Sequence, residues 1–152
     1  VVKFRKIIYK IWIERYIRKG KKMAELEIGI KGTGSVLVEQ GNTAFAMGSG
    51  QLPVFATPAM IALMEKTASE SIQNYLEDGY GSVGTKLEVK HSSATPLGME
   101  VHCESELLTI DGRRLVFSVK AFDKAGLIGE GMHERFLIKN ESFLKKAEGK
   151  LG

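Results

Sequence analysis

Apolar and polar residues alternate one by one through most of this chain, and a single stretch departs to a helical period. Residues 24–31 (AELEIGIK) and 35–46 (SVLVEQGNTAFA) alternate as strands do, with an interruption at Gly32-Thr33-Gly34. Residues 47–56 form a glycine-rich connection that closes in the apolar piece Leu52-Pro53-Val54-Phe55. There the period changes. Apolar positions 60, 61, 64, 68, 72, 75 and 76 recur every three or four residues, which predicts one long helix. Thr57 is expected to cap it, with Pro58 at its first position and Gly79 as its stop. Residues 62 and 63 are apolar too, so the helix is expected to be wrapped by other structure over much of its girth.

Alternation then resumes. Residues 83–91 (VGTKLEVKH) place Leu87, Val89 and His91 on one face and Lys86, Glu88 and Lys90 on the other. Residues 99–110 and 113–123 flank Asp111-Gly112, a type I′ hairpin signal, and a turn at Lys124-Ala125-Gly126 leads into a strand over 127–139. A short helix over 140–148 ends the pattern. Two strands, one buried helix and four antiparallel strands predict an α+β domain over residues 23–152, an antiparallel sheet wrapped around the long helix.

Charge separates the first residues from this body. Residues 1–22 hold nine Lys or Arg and one acid, Glu14, a net of +8. The remainder carries 13 basic (22 less 9) and 17 acidic (18 less 1) side chains, so the body is mildly acidic despite the overall +4. Nucleic acid is therefore not an expected partner, and no basic and aromatic stripe argues for one. Two readings stand for residues 1–22. Met23 follows directly and fits an authentic start, or Phe4, Ile8, Ile11 and Trp12 line a basic amphipathic helix packed on the domain or a neighbouring subunit. No apolar run approaches the ~20 residues that span a bilayer. The lone Cys103 excludes an intrachain disulfide and points to a reducing cytoplasm.

Three residues carry the candidate chemistry. Glu65 follows Met60, Ile61, Ala62, Leu63 and Met64, and a carboxylate in such company is costly to desolvate unless paired or used. Thr57 puts a hydroxyl at a helix N-terminus, where backbone N–H groups favour negative charge on an oxygen. His91 shares the core-facing side of its strand with Leu87 and Val89. Each has a plain alternative: a helix-edge carboxylate, an ordinary cap, a satisfied core imidazole. Thr57 and Glu65 lie about 12 Å apart along a helix axis and cannot touch. Either His91 and a water bridge them, or each works with groups from a second subunit. Gly79 to Gly84 fits G-x-G-x-x-G, but it leaves a helix and enters a strand, the reverse of a dinucleotide site. His91, His102, His133 and Cys103 lack metal-ligand spacing, so no metal is expected.

The runs LPVFATPAMIALMEKTA, SVGTKLEVKHSSATPLG, DGRRLVFSVKAFD and IGEGMHERFLI resemble the fluoroacetyl-CoA thioesterase-like family of hotdog-fold proteins, over about residues 30–140 and in motif order. The resemblance implies a hotdog fold, a homodimer and hydrolysis of acyl-CoA thioesters, with coenzyme A arriving as part of the substrate and no cofactor. Matched by motif, it implies Thr57, Glu65 and His91 as the catalytic residues, with Gly84 and Arg135 at the substrate. Leu52, Val54 and Phe55 are candidates to line the acyl pocket, and a short or otherwise small acyl group is expected. Glu65 either activates water or attacks the carbonyl itself. Arg135 anchors substrate or braces the site, and Lys86, Lys90, Arg113 and Arg114 are candidate cations for the coenzyme A phosphates. A non-catalytic acyl-CoA-binding module, a regulatory sensor with the basic residues 1–22 as its effector arm, is the rival from another class. A hotdog dehydratase is a weaker rival, because the Asp and His pairing of that branch is missing.

Overall fold

Every second residue from Val101 to Leu107 of β3 (Glu100–Asp111) and from Leu115 to Ala121 of β4 (Arg114–Asp123) is buried, and the apolar ones face one helix. The structure is a computed structural model that describes residues 25–152; the expectations for residues 1–22 lie outside the described residues. The chain runs β1 (Lys31–Leu37), α1 (Ala44–Met47), α2 (Thr57–Gln73), β2 (Tyr80–His91), β3, β4, β5 (Gly126–Lys139) and α3 (Asn140–Glu148). The strands form one antiparallel sheet in the order β1-β3-β4-β5-β2. Its inner face closes on α2, the arrangement of a hotdog fold.

Met60, Met64, Ala68 and Ile72 form the buried stripe of α2 at four-residue spacing. They meet Val101, Cys103 and Leu107 of β3 and Leu115, Phe117, Val119 and Ala121 of β4 in one core. Each fully buried large side chain contributes about 1.5–3 kcal/mol over leaving it in water, so this seam holds the helix in place. The outer face is polar. Thr33, Glu104, Lys120, Glu130 and Lys90 lie in register across all five strands, so opposite charges adjoin.

Four sequence expectations are corrected. The strands expected over 24–31 and 35–46 are one strand, and it runs straight through Gly32-Thr33-Gly34. Those glycines admit the helix: a Cβ on Gly32 would lie 2.6 Å from Ser71 Cβ and 2.8 Å from the Thr67 carbonyl oxygen. Beyond Val38 the chain turns through residues 40–42 and α1, whose N-cap is Thr43 with its hydroxyl accepting from the Ala46 N–H. The long helix ends at Gln73, short of Gly79, although Tyr75 and Leu76 still donate to the carbonyls of Ile72 and Gln73. The residue that caps its start is Ala56, so Thr57 is the first helical residue and its side chain is free for another bond. The hairpin turns on Gly112 and Arg113, flanked by the Asp111–Arg114 pair. Gly112 alone has positive φ (61°), which fits a type II′ turn rather than type I′.

Candidate active site

Thr57 spends its freed hydroxyl on His91: Oγ1 lies 2.7 Å from Nδ1. The two come from opposite layers, the N-terminus of α2 and the last residue of β2. His91 faces inward because β2 alternates, with Lys86, Glu88 and Lys90 exposed on the far side. Thr57 itself is exposed, so a reacting group can reach it. The His91 Nε2 atom is buried and has no hydrogen-bond partner among the described residues. Burial lowers the His91 pKa, with the Ser93 backbone acting the other way, so the ring is held towards the neutral form. A neutral imidazole next to a hydroxyl at a helix N-terminus has the parts for proton transfer beside a developing oxyanion.

Glu65 stands two turns further along α2 and belongs to a second cluster. Its side chain is 38% exposed, so the carboxylate sits at the rim of the core rather than inside it. Arg135 NH1 donates to Glu65 Oε2 at 3.3 Å. The same NH1 donates to His133 Nε2 at 3.0 Å, while Arg135 Nε and NH2 donate to the Ser82 hydroxyl and carbonyl, each at 2.8 Å. Four of the five guanidinium N–H groups are thus used within the chain. Arg135 is 6% exposed, and burial lowers its pKa against the opposing pull of Glu65.

His133 is fully buried, and its chemistry is fixed by its partners. Nδ1 lies 2.9 Å from the Lys86 carbonyl oxygen, which only accepts, so Nδ1 carries the proton. Nε2 faces Arg135, which only donates, so Nε2 is bare. The 3.9 Å approach of Nε2 to Glu65 Oε2 is therefore not an ion pair. Burial lowers the His133 pKa most, the Lys86 carbonyl opposes this, Arg135 adds to it, and Glu65 and Glu134 oppose it more weakly.

Gly84 lies on β2 against the Glu65 carboxylate, and a Cβ there would collide with Oε2. The structure thus joins Thr57 with His91, and Glu65 with Arg135 and Gly84, but does not bring the two groups together through His91. Sequence reasoning missed His133 and Ser82. The signal present was His133 and Arg135 at i and i+2, hence on one face of β5, opposite a strand that carries Ser82 and Gly84. Of the pocket candidates, Phe55 is 1% exposed and belongs to the core, held by its N–H to the Thr95 carbonyl and by a bridge to Thr43. Val54 is half-buried in a bridge to Pro96, and Leu52 is 65% exposed. Lys86 pairs with Glu88 at 3.1 Å and Arg114 bonds Glu134, so neither is a free cation, and Lys90 is on the outer face.

Comparison with known proteins bears on the family and the fold. The model of the family described as fluoroacetyl-CoA-specific thioesterase matches residues 38–141. A fluoroacetyl-CoA thioesterase from Streptantibioticus cattleyicolor is 44% identical over 97 residues, covering 64% of this chain and 70% of that protein. A solved structure of the fluoroacetyl-CoA thioesterase FlK superposes with a TM-score of 0.79 at 36% identity, over 84% of this chain and 98% of the other. A hot-dog-like protein from Thermanaerovibrio acidaminovorans gives 0.75 at 26% identity, over 84% and 94%.

Proposed function

The chain belongs to the fluoroacetyl-CoA-specific thioesterase family, and from that premise we propose that Thr57, His91 and Glu65 hydrolyse a small acyl-CoA to free acid and coenzyme A. The observation that carries the site is the 2.7 Å contact of Thr57 Oγ1 with His91 Nδ1 at a helix start that no side chain caps. The thioester carbonyl is polarised there, where backbone N–H groups face the oxyanion. His91 moves the proton between Thr57 or water and the departing thiolate. Glu65, paired with Arg135, supplies the carboxylate that activates water or attacks the acyl carbon. Arg135 braces Glu65 and keeps one N–H for the substrate. The reaction uses no cofactor.

We further propose that the working unit is a homodimer. Strand β2 is a 12-residue edge of the sheet, and an open edge of that length invites a second copy. Thr57 and His91 from one subunit and Glu65 from the other then form one site across the two-fold. The reduced, buried Cys103 fits a cytoplasmic enzyme.

Thiol release from a panel of acetyl-, fluoroacetyl-, butyryl- and longer acyl-CoA esters tests the activity. Turnover greatest on the smallest acyl groups is the expected result, with Glu65→Gln slower by orders of magnitude. Tight binding without turnover across the panel would replace the enzyme with an acyl-CoA-binding module.

A further inference from the structure

We propose that His133 is a positioning residue for Glu65, acting through Arg135 as an imidazole held neutral and in a single tautomer. The proposal rests on the reading of Glu65 as a member of the catalytic site. It concerns a buried titratable group that the mechanism above leaves without a task.

An arginine that meets a half-exposed carboxylate at 3.3 Å holds it only as firmly as the guanidinium itself is held. The guanidinium is one rigid plane, and Ser82 grips it by Nε and NH2 along one side, so the opposite corner at NH1 is anchored by whatever accepts from it. Among the described residues, NH1 has two acceptors, Glu65 Oε2 and His133 Nε2. The bare nitrogen is the second anchor of the guanidinium, and its own direction is fixed by Nδ1–H donating to the Lys86 carbonyl. The relay therefore runs Lys86 carbonyl, His133, Arg135, Glu65, across three elements of the fold.

An acid in place of His133 would pair with Arg135 and compete with Glu65 for it. An amine would repel it. A neutral acceptor orients the guanidinium while leaving its charge to the carboxylate. The other surroundings agree: Phe117 on β4 lies with ring centroids 6.5 Å away at 31°, and among the described residues the acids that act on the ring are Glu65 and Glu134. Protonation of His133 would place an Nε2–H against NH1 and end the bond. Holding Oε2 in this way presents Oε1 to the reaction.

His133→Asn keeps a donor for the Lys86 carbonyl but is too short to reach Arg135, whereas His133→Gln extends an acceptor towards NH1. Rates are measured on acetyl-CoA and fluoroacetyl-CoA. His133→Asn is expected to lower kcat by about 10- to 100-fold with KM changed less than about twofold, since misplacing a group by 1 Å costs that much. His133→Gln should recover part of the loss. In the Glu65→Gln background the Asn change should have no further effect. The same fold-loss with and without Glu65, or full kcat in folded His133→Asn, would overturn the proposal. Glu65→Gln at the wild-type rate would instead remove the site reading on which it rests. Imidazole 15N–1H spectra of the wild-type protein at neutral pH give an independent readout. Protonated Nδ1 with bare Nε2 is expected for His133, and an Nε2–H or doubly protonated ring would refute the relay.

Discussion

Gly84 and Glu65 occupy adjoining volume so tightly that a single added methyl on Gly84 would overlap the Oε2 atom. Gly84 does not adopt positive φ, so its lack of a side chain serves the carboxylate and not the backbone. Gly84→Ala is therefore expected to push Glu65 away from Arg135. The Glu65 head is the far end of a flexible side chain on a rim, but buried His133 Cε1, 3.1 Å from the added carbon, must also yield, so folding should lose about 1–3 kcal/mol. The rate should fall by about 100-fold, the scale of a 1 Å misplacement of a catalytic group. Thermal melts and steady-state kinetics on one variant separate the two effects. A large stability loss with an intact rate per folded molecule would refute the assignment.

The same glycine shows what the chain disclosed in advance. A glycine within an alternating strand marks a close approach, and that much was legible at Gly84, but the sequence does not say what approaches; it is the carboxylate 19 positions earlier. Alternation placed β2 to β5 and the inward face of His91 correctly, because one buried face imposes a period of two. Thr57 was legible as a helix start but not as a partner of His91, since an N-terminal threonine satisfies the capping pattern whether or not it caps. His133 was illegible in its role. Its two partners are a backbone carbonyl 47 positions away and a neighbour at i+2, and neither leaves a compositional trace. Gly32-Thr33-Gly34 misled outright: glycines that resemble a turn are the groove for a helix.

That groove yields a stability prediction separate from chemistry. A Cβ on Gly32 meets Ser71 Cβ, the Ser105 hydroxyl and the Thr67 carbonyl between 2.6 and 2.8 Å, and part of that surface is helix backbone, which cannot step aside. Gly32→Ala should cost about 1–3 kcal/mol, the range for overpacking a core. For a domain of this size each kcal/mol lowers Tm by about 2–4 °C. The rate per folded molecule should hold, because β1 is the sheet edge farthest from β2 and His91. Scanning calorimetry with an active-site titration reads both.

Two imidazoles, His133 buried and His91 half-buried, set an acid limit to stability. Both His91 and His133 have pKa values lowered from the ordinary 6.5, in each case chiefly by burial. Below 6.5 the unfolded chain binds protons that the folded chain refuses, so unfolding gains as pH falls. Their contribution is whole above 6.5 and declines from there towards the lowered values. Glu134, held below 4.5 by Arg114 and then by Thr85, begins to lose its part only at lower pH. Urea midpoints should be level from pH 8 to 7 and fall between 6.5 and 5. His133→Asn, already uncharged, should flatten that fall in part. A midpoint that rises on acidification to pH 5.5 would contradict the neutral assignment of both rings.

The separation of Thr57 from Glu65 makes the dimer testable by mixing. Eight residues of α2 place them about 12 Å apart along the axis, and each is bonded to a different partner within its own chain. A site drawn from one chain would be damaged in every molecule of a mixture of Thr57→Ala and Glu65→Gln proteins. A site that takes Thr57 and His91 from one subunit and Glu65 from the other behaves differently. In a mixed dimer one site collects both substitutions, and the second site is wild type in every residue. Random re-association of equal amounts makes half the dimers mixed, so about a quarter of the wild-type activity should return under two-fold symmetry. Each parent alone should stay near background, and the gain should require exchange of subunits through mild denaturation. Mixtures that remain as inactive as their parents, with exchange confirmed by mass spectrometry, would confine the three residues to one chain.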